Sequence, residues 1–264
     1  MTRIASVCLG VLGLFFAGTA LAQTPDPSKP SPSASDSEIA RGSSLDFDET
    51  RVARGFAALN RPTGIAEVGV GWLTLPGASV CAQHSTGNTC RKGDTSFELD
   101  AWELFRANRR FAFGAGFLLG LIPTTDAPQS DPMGISRDHT RSYLTLEGEI
   151  RHYPYVAEGV ELWWGVTAGV AVVNDRFAVN DNMQDLALVG GNGSTIRSEG
   201  ATIGVAGGAA FWLANHWSLG TTFRYGNWFL PKTAAKDPLL DEASVTGRNS
   251  MFSLGITLAY RIGL

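Results

Sequence analysis

RFAFGAGFLLGLI, residues Arg110 to Ile122, decides how this chain folds. Taken with a period of two, one face carries Phe111, Phe113, Ala115, Phe117, Leu119 and Leu121. The other carries Arg110, Ala112, Gly114, Gly116, Leu118, Gly120 and Ile122. One side of a strand is therefore wholly apolar, and the other is lined mostly by residues with little or no side chain. A soluble sandwich would bury the first face but would rarely leave Gly114, Gly116 and Gly120 on the face meant for solvent. A narrow closed barrel standing in lipid needs this division, with bulk outward and small groups inward where strands crowd. The stretch predicts one wall of a transmembrane β-barrel.

The division recurs along the chain. Gly64 to Leu75 sets Val68, Val70 and Trp72 against Glu67, Gly69 and Gly71. In Ser96 to Arg106, Glu98 and Asp100 want the lumen, with Phe97, Leu99 and Ala101 outward. Glu103 then falls on the lipid side, which either a bulge or a place near the interface resolves. Tyr143 to Tyr153 alternates most cleanly, with Leu144, Leu146, Gly148 and Ile150 opposite Thr145, Glu147, Glu149 and Arg151. A midplane Arg facing lipid costs about 2–4 kcal/mol, so these charges belong inside. Val160 to Val173 and Ala201 to Leu213 follow the same rule, as does the strand after Asn215-His216, where Leu219, Phe223 and Tyr225 oppose Gly220, Thr222 and Arg224. The last strand puts Phe252, Leu254, Ile256, Leu258, Tyr260, Ile262 and Leu264 on one face.

Eight strands result, joined alternately by long loops and short turns, the asymmetry of an outer-membrane barrel. The fold class predicted is all-β, an eight-stranded antiparallel up-and-down transmembrane β-barrel with a disordered N-terminal leader. Trp72 and Trp228 near one end of their strands, and Trp102, Trp163, Trp164, Trp212 and Trp217 near the other, are expected to form two interfacial girdles.

Three segments are predicted: a signal peptide at 1–22, a leader with room for a short helix at 23–62, and the barrel at 63–264. Arg3, the apolar run Ile4 to Phe16 and the small-x-small site Ala20-Leu21-Ala22 mark the signal. No stretch reaches the ~18 apolar residues of a spanning helix. The leader opens on TPDPSKPSPSASDSEIARGSS, too polar to bury a core. In Leu45 to Asn60, Val52, Phe56 and Leu59 recur at helical spacing, which fits a short amphipathic helix and a plain tether equally well.

Removal of the signal leaves 20 basic against 25 acidic residues, so a basic nucleic-acid surface is not expected. Two cysteines remain, Cys81 and Cys90 in CAQHSTGNTC, and in an exported chain they read as a disulfide. With His84 they fall short of the four ligands of a zinc site. Asn180, Asp181, Asn182 and Asp185 lack the glycine and distal glutamate of a calcium loop. His139 and His152 read as single and unpartnered. No cofactor or catalytic residue is predicted. The chemistry-bearing set is a lumen polar network of Glu98, Asp100, Glu147, Glu149, Arg151, Arg224 and Arg261, either an ion path or a hydrogen-bonded plug; the plug is favoured because eight strands leave an interior just filled by side chains.

Over Gly64 to Leu264 the chain resembles the eight-stranded outer-membrane barrels typified by OmpA and OmpX. The resemblance rests on the hairpin ELFRANRRFAFGAGFLLG, on EIRHYPY leading into LWWGVTAGVAV, and on the closing LGITLAYRIGL. Tyr260, Ile262 and Leu264 match the C-terminal signal read by the barrel-assembly machinery, although the chain ends on Leu264 where the family usually has an aromatic. The resemblance implies a Gram-negative outer-membrane location, with membrane lipid, lipopolysaccharide and the assembly machinery as partners and a loop partner left unnamed. It implies no shared active site. The expected role is a non-enzymatic anchor presenting four external loops; a small-solute or ion channel is the alternative, and a lipid A-modifying enzyme a third. For the enzyme, His216-Trp217-Ser218 alone has the His-x-Ser spacing of the deacylase type, without a carboxylate near it on the strand. A soluble secreted barrel holding a ligand inside is a further runner-up.

Overall fold

The computed structural model describes residues 61–80, 91–120, 124–126, 137–157, 159–179, 194–214, 216–236 and 242–264. The expected signal peptide, nearly all of the leader, the Cys81–Cys90 pair and Asn180 to Asp185 lie outside them. Eight long strands build the fold: β1 Thr63–Thr74, β2 Thr95–Arg106, β3 Phe111–Gly120, β4 Arg137–Ala157, β5 Val160–Val179, β6 Ser194–Trp212, β7 Trp217–Phe229 and β8 Arg248–Gly263. Each pairs antiparallel with its neighbours in sequence, and β1 pairs with β8. The barrel is therefore closed and exposes no sheet edge. Thr124–Asp126 resumes pairing on β4 beyond β3, and Ser79–Val80 with Arg91–Lys92 make a small separate ribbon.

Across the middle of the barrel the strands turn one set inward and expose the other, and there the exposed set is the apolar one. Phe113 is 52% and Ile150 57% exposed, while Glu147 and Glu149 are 5% and 2% exposed. Val68, Val166, Val205, Phe223 and Ile256 continue the exposed belt around the wall. A barrel dissolved in water would invert this arrangement. Short connections, 107–110, 158–159 and 213–216, lie at one rim with the ends of β1 and β8, and the long ones lie at the other. Local chemistry shapes the short turns. Asn108 Oδ1 accepts hydrogen bonds from the amides of Arg110 (2.8 Å) and Phe111 (3.1 Å), folding the β2–β3 turn. Gly159 takes φ 82° in the two-residue β4–β5 turn, a left-handed conformation that favours glycine. Pro154, which has no amide to donate, sits where the β4–β5 register slips between His152 and Tyr155.

Three expectations change. First, β4, β5 and β6 run well past their expected outer ends, and much of the predicted third loop is strand pairing Asn174 to Phe177 with Ser194 to Arg197. The alternation persists there, but its outward residues, such as Arg176, Arg197 and Glu199, are polar because they stand beyond the lipid. Second, the β1–β2 and β2–β3 registers are unbroken, so Glu103 faces outward without a bulge, four residues from the turn, at the interface. Third, the girdles are only partly tryptophan. Trp72, Trp164 and Trp217 point outward, whereas Trp102, Trp163, Trp212 and Trp228 are 3%, 6%, 5% and 0% exposed inside the bore. Phe111, Phe211, Tyr155 and Tyr260 take the outward places instead.

Backbone and ring together keep two inward positions at glycine. A β-carbon on Gly116 would run into the Ala101 carbonyl and stand 2.5 Å from the Trp102 ring, and one on Gly208 would run into the Thr221 carbonyl and stand 2.9 Å from Trp163. Gly116→Val is expected to lower stability by about 1–3 kcal/mol through overpacking. Its urea unfolding midpoint in detergent checks this; an unchanged midpoint would mean that strand and ring both have room to shift.

Candidate functional site

The bore is filled in layers, which strand position orders from the short-turn rim outward. In the first, Glu161 on β5 accepts from Arg106 Nη1 (2.8 Å) on β2 and Arg261 Nη2 (2.7 Å) on β8. In the second, Arg151 on β4 grips both oxygens of Glu67 on β1, each at 2.9 Å, and pairs with Glu149 at 3.0 Å. In the third, Glu98 on β2 reaches past Gly71 to accept from Ser253 Oγ on β8 (2.5 Å), and Glu147 accepts from Thr202 Oγ1 (3.3 Å). Asp100 and Arg224 share this layer. All four guanidiniums also lie over aromatic rings: Arg106 over Tyr153 (4.0 Å), Arg151 over Trp163 (3.8 Å), Arg224 over Trp102 (4.1 Å) and Arg261 over Trp212 (4.2 Å). Stacking on a ring lets a buried guanidinium keep favourable contact on faces that accept no hydrogen bond.

Above the ionic layers stands an apolar stopper. Leu73, Leu118, Val173, Trp228 and Met251 from the wall meet Leu75, Ala78, Leu230 and Val245 from the long connections. Over it lies a second polar network. Arg141 pairs with Asp94 (2.9 Å) and donates to Ser244 Oγ (2.5 Å), and Tyr143 donates its hydroxyl to Asp94. Asp175 accepts from Ser244 Oγ (2.5 Å) and from the Ser244 amide (2.9 Å), and contacts His139 Nε2 at 2.8 Å. Arg141 thus joins the connection after β1 to the one after β7, and closes the outer mouth with buried charge.

All seven residues of the predicted polar network face the bore. The structure adds Glu67, Arg106 and Glu161, each legible as the charged partner of an alternating apolar strand, and the outer network, which was not. His139 is corrected from unpartnered: besides Asp175 it stacks on Phe177 at 4.5 Å. His152 is corrected too, lying outward between the rings of Phe111 (4.9 Å) and Trp164 (5.7 Å). Neither contact follows from spacing, because each is made across strands.

Serine, histidine and aspartate do meet in the outer network, but the carboxylate sits between the other two. The histidine therefore cannot take the serine proton, and all three are buried. At the short-turn rim His216 Nδ1 donates to the Arg261 carbonyl (2.9 Å), while Ser218 is turned into the bore. Among the described residues no three metal-ligating side chains converge on one point. Voids follow the same pattern. The one lined by Glu67, Arg151, Ser218 and Arg261 holds about 10 Å³, room for about one water. A concavity of about 800 Å³ lies instead on the outer wall, among Phe113, Gly148, Ile150, Val166, Ala168 and Ile203. It is apolar and belongs to the lipid-facing belt.

No family model matches the chain, and no curated protein does. Among solved structures it is similar to a major outer membrane protein of Thermus thermophilus, at 14% identity and a TM-score of 0.49, covering 76% of this chain and 99% of that one. Neisserial surface protein A matches at 10% identity and TM-score 0.46, covering 75% and 96%. Ail, the attachment invasion locus protein of Yersinia pestis, matches at 10% identity and TM-score 0.40, covering 77% and 99%. The architecture itself rests on this chain's own strand pairing, a closed, eight-stranded, antiparallel barrel with an apolar exterior.

Proposed function

We propose that this protein is a plugged barrel of the Gram-negative outer membrane, a non-enzymatic anchor whose long connections face outside and make surface contacts. The observation that carries the reading is the inversion of burial, with an apolar belt outside and charge inside. The layered filling supports an anchor over a conduit, since a stopper of Leu73, Leu118, Trp228 and Met251 stands between the ionic layers and the outer mouth. Membrane lipid and lipopolysaccharide would surround the belt, and the assembly machinery would read Tyr260, Ile262 and Leu264. Tyr260 and Ile262 share the outward face of β8. Loops on a rigid scaffold are the natural place for recognition.

The test takes the outer-membrane fraction through a gel with and without boiling, then the purified protein into a planar bilayer. A compact band that shifts on boiling, with no steady conductance, is expected. Identical mobility would remove the membrane barrel, and a steady ion-conducting state would replace the plug by the channel. Deletion that alters lipid A acylation, not restored by His216→Ala, would favour the enzyme.

A further inference from the structure

The bore between the short-turn rim and the stopper does not balance its charges. Among the described residues it holds the carboxyl groups of Glu67, Glu98, Asp100, Glu147, Glu149 and Glu161, against the guanidiniums of Arg106, Arg151, Arg224 and Arg261. Glu161 lies between two arginines, and Arg151 between two glutamates, so those two layers together are neutral. The whole surplus falls on the third layer, where three carboxyl groups face Arg224 alone.

That layer is also where hydrogen bonds are missing. Asp100, 1% exposed, receives none at either oxygen, and Glu98, equally buried, receives none at Oε2. Arg224, 2% exposed, makes none through any of its three nitrogens, its guanidinium lying over the Trp102 ring. The hydroxyls of Thr145 and Thr222 have no partner either. A β-carbon on Gly69 would lie 2.6 Å from Asp100 Oδ2, so β1 offers this carboxyl neither a donor nor room to move. Glu67, Glu149 and Arg151 bound the layer on one side, and the stopper, with the Tyr143 ring, bounds it on the other. Three ionised carboxylates here would leave two charges uncompensated in a closed bore, which low-dielectric surroundings do not tolerate. The ligand set for a metal ion is absent among the described residues.

We infer that Glu98 and Asp100 stand in the folded barrel as neutral carboxylic acids, so that the bore is a binding site for two protons and the charge of its third layer balances. Burying an unpaired carboxyl without hydrogen bonds costs far less when it is neutral than when it is ionised. The unfolded chain holds these carboxyls ionised at neutral pH, so folding takes up two protons.

The test uses the mature chain refolded in detergent micelles, with the gel shift on boiling as proof of folding. Infrared difference spectra at neutral pH are expected to show the carbonyl stretch of protonated carboxyl groups, reduced by half in Glu98→Gln and in Asp100→Asn and absent in the double variant. Glu199→Gln, which changes an exposed carboxylate on β6 outside the bore, leaves the band unchanged. Refolding from urea with an indicator dye should take up two more protons per wild-type chain than per double variant. No carbonyl band at neutral pH, a band that survives the double substitution, or a metal ion retained stoichiometrically through dialysis would each overturn the assignment. If the variants do not fold, the wild-type band and the wild-type proton count decide alone.

Discussion

Arg151→Met is expected to lower the stability of the folded barrel by about 3–5 kcal/mol, the cost of leaving buried carboxylates without their counter-charge. Arg151 is 1% exposed and ties Glu67 on β1 to Glu149 on its own strand, with its guanidinium flat on Trp163. Methionine fills much of the same volume, so the loss comes from charge rather than from a cavity. The triple variant Arg151→Met, Glu67→Gln, Glu149→Gln is expected to recover most of the loss, since neither carboxylate is then left without its counter-charge. Urea unfolding in detergent, followed by the boiling-dependent gel shift, measures both. A single variant as stable as the wild type would mean that water reaches Glu67 and Glu149, and the bore would not be closed.

The second large effect lies on the other face of the same strand. Leu146→Arg is expected to destabilise the protein in lipid vesicles by about 2–4 kcal/mol, as a charge at the hydrocarbon midplane does. Leu146 is 51% exposed and points away from Glu147, its neighbour in sequence. On a protein surrounded by water the same change at an exposed leucine is nearly neutral. Refolding yield and unfolding midpoint in vesicles therefore separate the two settings, and a neutral result would argue for a soluble barrel. Arg197 on β6, beyond the lipid and beside Glu199, is a control: Arg197→Leu should change little, because its 2.6 Å ion pair is exposed.

Much of the bore could be read from the chain because a strand keeps strict time. Once Phe111, Phe113 and Phe117 are assigned outward, Gly114 and Gly116 must face inward, and the same step places Glu147, Glu149 and Arg151 together. Where the alternation is polar on both faces, as at Asn174 to Phe177, that logic loses its contrast and strand passes for loop. Tryptophan fails for a different reason. Its size suits a lipid interface and a bore lined by glycine equally well, so a place near a strand end does not tell which. The alternation does, setting Trp163 inward with Gly165 and Trp164 outward with Leu162 and Val166.

Sequence alone determined the wall: eight segments of period two, which side of each faces lipid, and the alternation of short and long connections. These follow from the fixed two-residue repeat of an extended chain and need no knowledge of partners. Tertiary structure decided the contents: that Arg151 meets Glu67 and not Asp100, that Arg141 joins two distant connections to Asp175, and that Leu73, Trp228 and Val245 close the bore. Such contacts depend on strand register and barrel closure, which bring together side chains such as those of Glu98 and Ser253, 155 residues apart. No local pattern carries that information.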